Sequence, residues 1–357
     1  MGLDTVIRVG IGPIKTYPSW NWIGPDTAEE LSKYFAVELF DEKNIPDSDV
    51  LLLVKHRPQS LIRKKSPRSK LIYMPIDFYI SPDQIREDRD FLRSCSTLML
   101  HCDRLRPFFQ GGSSSIWNID HHNKYGLLEP VPYRKDGYIL WIGGFQYVPY
   151  VLKWAAETAL PFELKILTDY QLTSERGRER ARDLAQEIGV PLKIKNDKIN
   201  EHSLYEWSVP VQESLLMHAK AAVDIKGGPE NFSQWTKPPT KAQKYMASGI
   251  PFATNSESYA VDYFKKREFQ VSDAHDFSRW FSPEYHFETV KQASALKKEL
   301  SLASVGAQIK RVVESVSGAV PKPVEALESQ RSYDSKDPDN SSKNQKYDAH
   351  LFQNVDF

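Results

Sequence analysis

Short apolar runs alternate with helical stretches along the first third of the chain. Five runs predict buried strands: VIRVGIG (6–12), AVELF (36–40), DVLLLVK (49–55), KLIYMPID (70–77) and TLMLHC (97–102). Two stretches open on capping residues with an acidic first turn and predict helices, DTAEELSKYF (26–35) and SPDQIREDRDFLRSC (81–95). This alternation predicts a parallel, doubly wound α/β sheet whose ligands bind at the carboxyl ends of the strands.

The same alternation restarts after a segment rich in proline and turn residues, LLEPVPYRKDG (127–137). Its strands are predicted at YILWIGG (138–144), FELKILTD (162–169) and AAVDIKGG (221–228), with helical stretches between them. We therefore predict two Rossmann-like domains, 1–130 and 131–285. Two helices over 286–317 are expected to pack back across the domains, and the polar, proline-bearing residues 318–357 are predicted to be disordered.

Composition excludes only a few classes of protein. The 357 residues suffice for two domain cores, and 47 basic residues balance 47 acidic ones, so global charge does not favour a nucleic-acid partner. Cys95 and Cys102, the two cysteines, form no zinc spacing or disulfide framework. Because the sequence shows no signal-peptide pattern and no apolar run near the roughly 20 residues of a membrane span, we expect a soluble, cytoplasmic protein.

One short helix carries its charges at the unfavourable end. In KPPTKAQKYMASGIPF (237–252), the prolines suit the first turn, and Gly249 and Pro251 mark the end of a helix of about ten residues. Lys237, Lys241 and Lys244 crowd the start, where the helix dipole is already positive. The lysines either project into water or receive an anion.

Glycines at two strand ends strengthen the anion interpretation. Gly143 and Gly144 follow one predicted strand, and Lys226, Gly227 and Gly228 follow another. Glycines there let backbone N–H groups approach a ligand closely, although they also suit plain strand-to-helix turns. If the two strand ends and the cationic helix start converge, a diphosphate is the ligand that fits them.

Candidate chemistry in the first domain is less specific. Asp77 and His101 each end a predicted strand and could act as a general base, although a turn cap and a buried histidine are equally ordinary explanations. Gly12 lies at the same predicted edge. Trp20 and Trp22, just after the first strand, could stack on a sugar or pack in the core.

Two other patterns in the sequence bear on binding. The histidines of DHH (120–122) are adjacent, and neighbouring residues of a strand point to opposite faces, so we expect no metal site there. The loop HRPQSLIRKKSPRSK (56–70) holds several cations and no acid. It is expected to be solvated, with contact to anionic lipid or to an acidic glycan as the functional alternative.

The lysine-rich helix resembles the donor-site helix of GT-B glycosyltransferases of the family 4, or group 1, type. That helix reads P-x-K-x-x-E-Y-M-A-x-G-x-P and is followed by a short strand. Pro239, Lys241, Gly249 and Pro251 match it, together with the run YMA (245–247). YILWIGG resembles the first strand and glycine loop of the nucleotide-sugar domain in those enzymes. The likeness covers about residues 5–315 in architecture and about 140–255 in recognisable motifs.

The resemblance implies two Rossmann-like domains with the acceptor bound mainly by the first, a nucleotide sugar by the second, and reaction in the cleft between them. It implies no cofactor beyond the nucleotide sugar, whose base is open, and phosphate stabilisation by lysines and helix N-termini rather than by a metal. Lys244 departs from the pattern, since the family has a glutamate there that holds the donor ribose. The implied donor site comprises Gly143, Gly144, Lys226, Gly227, Gly228, Lys237, Thr240, Lys241 and Lys244.

Three functions follow from this resemblance. The first is transfer of a sugar to a glycan, lipid-linked or small-molecule acceptor, with the stereochemistry left open. A catalytically silent GT-B-like binding protein is the second, and Lys244 is the residue that favours it. The third is a sugar-nucleotide epimerase on the same architecture, which would act with no acceptor present.

Overall fold

The computed structural model describes residues 6–113, 115–127 and 129–318. This part of the chain forms two compact units, one comprising 6–122 and 302–318 and the other 123–301. The predicted boundary at 130/131 lies further along the chain than this division. The predicted disordered tail, apart from Gly318, lies outside the described residues.

A parallel sheet of six strands forms the first unit. Its strands are β1 (Arg8–Gly12), β2 (Ala36–Leu39), β3 (Val50–Val54), β4 (Lys70–Met74), β5 (Thr97–Leu100) and β6 (Ile116–Asn118), in the spatial order β2-β1-β3-β4-β5-β6. All five pairings are parallel. β3 is buried along its whole length, as expected of a strand covered on both faces. The predicted α/β architecture is therefore confirmed for this unit.

The helices of the first unit differ from prediction in several places. They are α1 (Pro18–Leu31), α2 (Gln59–Lys65), α3 (Pro82–Glu87), α4 (Arg89–Ser94) and α5 (Arg106–Phe109). α1 begins earlier than predicted because Pro18 occupies the first turn, where its missing N–H costs nothing. α2 lies within the predicted basic loop. The predicted helix 81–95 is two helices, since Asp88 between them leaves the helical conformation.

The second unit is built on a mixed sheet of eight strands. They are β7 (Ile139–Ile142), β8 (Leu164–Thr168), β9 (Ile194–Lys195), β10 (Lys198–Ile199), β11 (His202–Glu206), β12 (Ala221–Asp224), β13 (Phe252–Thr254) and β14 (Ser272–Asp273). The spatial order is β14-β13-β12-β7-β8-β11-β10-β9. Its strands are parallel except at β9 and β10, which form an antiparallel extension of one edge. β11 was not predicted, because its half-buried residues HSLYE show no continuous apolar run.

Helices connect these strands and follow β14. They are α6 (Val148–Ala156), α7 (Glu175–Glu187), α8 (Val209–His218), α9 (Phe232–Trp235), α10 (Thr240–Ala247), α11 (Tyr259–Lys265), α12 (Phe277–Trp280), α13 (Pro283–Glu299) and α14 (Leu302–Ser317). Of the two predicted C-terminal helices, α13 belongs to the second unit and α14 to the first. None of the helices in the described ranges is both long and apolar enough to span a membrane.

Candidate functional site

The residues predicted to form an anion site lie at the carboxyl edge of the second sheet. β7 and β12 are adjacent parallel strands, so Gly143 and Lys226, which follow them, lie at the same edge. The start of α10 also lies close to Gly143. The Nζ atom of Lys241, the second residue of α10, is 2.8 Å from the position that a Cβ on Gly143 would occupy. The structure therefore brings the two strand ends and the cationic helix start together.

Lys241 is the most exceptional residue of this edge. Its ammonium lies 5.0 Å from the centroid of the buried Trp141 ring. Over the described ranges Lys241 forms no side-chain hydrogen bond and no ion pair. Burial holds the pKa of Lys241 well below its ordinary value, and the charge of Lys226 lowers it further. An ammonium in such a place is stabilised by an incoming anion.

Lys226 is fixed in position from two sides. Its ammonium forms an ion pair of 2.9 Å with Asp224, and the two side chains are 8% and 1% exposed. Asn255 holds the backbone of the same residue, since its Oδ1 accepts a hydrogen bond from Lys226 N (2.9 Å) and its Nδ2 donates one to Lys226 O (2.7 Å). The loop after β12 is thus tied to the loop after β13.

Lys237 and Thr240 lie at the N-terminal end of α10. The Lys237 ammonium lies 4.3 Å from the centroid of the Tyr147 ring, which follows Gly144 by three residues. Thr240 is the first residue of the helix, and Pro239 precedes it as the N-cap. Lys226, Lys237 and Lys241 therefore place three ammonium groups at one sheet edge.

The glycines of the site are needed for different reasons. A Cβ on Gly143 would lie 2.1 Å from the Trp141 ring, and one on Gly227 would lie 2.6 Å from the Tyr150 hydroxyl. At Gly144 the nearest atoms, in the Tyr147 ring, would be 3.7 Å away, an ordinary contact. Packing thus explains Gly143 and Gly227, while Gly144 has room for a methyl group.

Several backbone N–H groups at this edge already have acceptors. Gly143 N donates to Leu167 O (3.0 Å), Gly228 N donates to Glu230 Oε1 (2.8 Å), and Phe145 N donates to Asp169 Oδ1 (2.8 Å). A ligand that used these donors would have to replace the existing bonds. The lysine side chains are therefore the better supported anion contacts.

Lys244 contacts a polar network centred on Gln212 through its ammonium. Its ammonium donates to Gln212 Oε1 (3.1 Å), which also accepts from Trp207 Nε1 (3.0 Å). Gln212 Nε2 in turn donates to Tyr125 O (2.7 Å), and the glutamine is fully buried. Burial lowers the pKa of Lys244 to about 8.

In the first unit, the predicted base candidates differ in accessibility. Asp77 is exposed after β4 and adopts a positive φ of 49°, which is uncommon outside glycine. His101 follows β5 and is buried, with its ring stacked on His121 at a centroid distance of 5.2 Å. Burial lowers the pKa of His121 to about 3, so this imidazole is neutral at ordinary pH.

Gly12, Trp20 and Trp22, which were predicted to lie on the acceptor side, differ in exposure and packing. Trp20 is 3% exposed and packs in the core, which is one of the two alternatives that the sequence leaves open. A Cβ on Gly12 would lie 2.5 Å from Phe40 O, so packing requires this glycine. Trp22 is partly exposed, and its indole Nε1 donates to His122 O (3.2 Å).

Sequence reasoning missed a partly buried pair beside Trp22. His122 Nε2 lies 2.8 Å from Asp26 Oδ2, with side chains 6% and 19% exposed. No local pattern joins these residues, because they are far apart in sequence and belong to α1 and to the segment after β6. In the described ranges, no three His, Cys, Asp or Glu side chains form a group able to hold a metal ion.

Comparison with known proteins shows a likeness in structure. No protein-family model and no curated protein sequence matches the chain. The structure is similar to sucrose-phosphate synthase from Thermosynechococcus elongatus, with a TM-score of 0.61 and 10% identity over 88% of this chain and all of that one. It is also similar to HepE from Anabaena in complex with UDP and glucose, with a TM-score of 0.59 and 9% identity over 87% of this chain and 100% of that one.

A glycosyltransferase from Rickettsia africae gives a TM-score of 0.53 at 9% identity, over 88% of this chain and 99% of its own. The first unit has a parallel sheet and the second a largely parallel one, and the similarities to these structures show the fold. The chain has a GT-B glycosyltransferase-like fold, which confirms the fold expected from the sequence.

Proposed function

We propose that the protein is a glycosyltransferase whose second unit binds the diphosphate of a nucleotide sugar at Lys226, Lys237 and Lys241. The observation that carries the proposal is the Lys241 ammonium, which lies over Trp141 with no side-chain acceptor in the described part of the chain. HepE, a structural neighbour, has been crystallised with UDP-glucose. The proposal assigns the same class of donor to this chain.

In this proposal the lysines act mainly on the leaving group. Negative charge develops on the diphosphate as the bond to the sugar breaks, and cations already in place lower the barrier without reorganising. Because Lys241 lies in a poorly solvated position, its interaction with that charge is stronger than in water. The acceptor is a glycan, a lipid-linked glycan or a small molecule. The basic last turn of α2 offers a contact for a membrane that carries a lipid-linked acceptor.

A thermal-shift screen tests the donor site. UDP, GDP, ADP, CMP and their sugars are each added to the wild type, to Lys241→Ala, and to Lys153→Ala as a control on exposed surface of the same unit. One nucleotide class is expected to raise the unfolding midpoint of the wild type and of the control but not of Lys241→Ala. A wild type that responds to none of them overturns the proposal.

Binding without transfer is the second candidate function, and Lys244 is the observation that favours it. A lysine at this position donates hydrogen bonds but cannot accept them while charged. Once a donor is known, release of free nucleotide is measured with and without acceptors. Acceptor-dependent release supports the transferase, whereas saturable binding with no release over hours supports the silent protein.

A further inference from the structure

Lys244 is a cation with an incomplete set of partners. It lies on the same helix as Lys241, three residues further on, and residues with this spacing share one helix face. Over the described ranges no carboxylate lies within ion-pair distance of its ammonium. A partly buried charge that faces only a neutral amide costs stability unless something else neutralises it.

The neighbouring amide cannot turn to provide more. Gln212 Oε1 already accepts from both Trp207 and Lys244, and its Nε2 is committed to Tyr125 O. A carbonyl oxygen has two lone pairs, so this acceptor is saturated. An ammonium has three donors, of which Gln212 receives one. Two donors of Lys244 are left for an incoming group.

The charges around Lys241 indicate what that group carries. Lys226, Lys237 and Lys244 all lower the pKa of Lys241, and Asp224 is the one carboxylate that acts in the opposite direction. A diphosphate diester brings two negative charges. Lys226 already pairs with Asp224, whereas Lys244 has no carboxylate partner in the described ranges, so a further negative charge on the ligand would meet Lys244.

We propose that Lys244 is a specificity-determining residue of this site and receives an anionic group, carboxylate or phosphate, that the nucleotide ligand carries in addition to its diphosphate. The inference rests on the proposed donor site at Lys241. It differs from it in predicting a preference between ligands rather than binding itself. The Gln212 network positions the ammonium, and the ligand supplies its missing acceptor.

Calorimetric titration at pH 7 with two ligand pairs tests the inference. UDP-glucose and UDP-glucuronate differ by a carboxylate on the sugar, and ADP and its 3′-phosphate derivative differ by a phosphate on the ribose. In the wild type, the anionic member of one pair is expected to bind about tenfold more tightly than its partner. The pair that shows this preference identifies the end of the ligand that meets Lys244.

Three variants separate the roles of the lysines. Lys244→Met is expected to abolish the preference within the pair, and Gln212→Glu to reduce it by supplying a carboxylate from the protein itself. Lys241→Met, the matched control on the same helix face, is expected to weaken both members while the preference survives. Circular dichroism establishes that each variant is folded.

The outcomes distinguish this inference from the proposed function. Equal affinity within both pairs in the wild type overturns it, and so does a preference that persists in Lys244→Met. If the neutral ligands bind and only the preference is missing, the proposed function stands. If none of the four ligands binds, the inference fails, and the proposed function fails with it only when no nucleotide of the thermal-shift screen raises the unfolding midpoint either.

Discussion

At the scale of single residues, the adjacent Gly143 and Gly144 differ in whether a side chain would fit. A Cβ on Gly143 would lie 2.1 Å from the Trp141 ring and 2.8 Å from Lys241 Nζ, so Gly143→Ala forces the indole and the ammonium to move. We expect a loss of about 1–3 kcal/mol in the free energy of unfolding, together with weaker nucleotide binding. Urea denaturation and calorimetric titration measure the two effects.

The control for this prediction is the next residue. Gly144 has φ −68° and ψ 141°, a conformation that alanine adopts readily, and its Cβ would make only ordinary contacts with Tyr147. Gly144→Ala is expected to change stability by less than about 0.5 kcal/mol. Equal losses in the two variants would contradict the packing explanation.

Lys244 predicts a pH dependence of stability. Burial holds its pKa at about 8 in the folded chain, against 10.5 for an unperturbed lysine, so below pH 8 folding bears the cost of the buried charge, up to about 3 kcal/mol. Between pH 8 and pH 10.5 the unfolded chain still binds a proton that the folded chain has released. The unfolding free energy contributed by this group therefore rises with pH across that window.

Lys244→Met removes this contribution. The variant is expected to be more stable than the wild type at pH 7, and the gap should narrow as the pH rises to 10. Urea denaturation of both chains at four pH values measures the gap. Lys153→Met, at an exposed position of the same unit, serves as the control for removing a lysine from the surface. A gap for Lys244→Met that stays constant with pH would mean that the lysine is not perturbed.

Sequence reasoning identified the lysines but not their different surroundings. Lys241 and Lys244 read alike in the sequence, as cations at the start of a short helix. In the structure Lys241 meets Trp141 of β7 whereas Lys244 meets Gln212 of α8. These contacts depend on how α10 packs against elements distant in sequence, which no local pattern encodes. The pair of Asp26 and His122 was missed for the same reason.

At the scale of elements, the continuous apolar runs were the reliable signal. Strands buried on both faces, such as β3, read as unbroken runs and were predicted correctly. β11 carries polar residues on half-buried positions and gave no such signal. Helix starts were harder, since Pro25 lies inside α1 and no capping residue marks its first turn.

The loops that follow β12 and β13 are expected to act as one element through Asn255. Asn255→Ala removes both hydrogen bonds to the Lys226 backbone and leaves two backbone groups without their partner. Stability should fall by about 1–3 kcal/mol. Because the loop then holds Lys226 less firmly, nucleotide binding should weaken although Asn255 is not itself assigned to the ligand.

Titration of Asn255→Ala with the nucleotide found in the screen measures this effect. Ser256→Ala is the matched control, since the exposed Ser256 hydroxyl donates to Glu257 rather than to the Lys226 loop. Affinity should be unchanged in the control. If Asn255→Ala is less stable yet binds nucleotide normally, the hydrogen bonds of Asn255 support the fold and not the site.

At the scale of the whole molecule, the chain returns to its first unit after completing the second. α14 follows the second unit in sequence but packs against α1 and belongs with the first sheet. Its apolar face is deeply buried, with Val305, Ile309, Val312 and Val313 between 0% and 3% exposed. The first unit is therefore incomplete until α14 has been added.

A chain that ends at Ser301 tests this dependence. Losing four buried aliphatic side chains, each contributing about 1.5–3 kcal/mol, removes an amount comparable with the whole stability of a domain. Hydrogen exchange should then show lost protection in β1, β3 and β4, while β7 and β12 stay protected. The nucleotide should still raise the unfolding midpoint of the second unit. A chain ending at Gly318 keeps α14 and serves as the control. If the shorter chain kept its protection in β3, the buried face of α14 would contribute little, and the first unit would be complete in residues 6–122 alone.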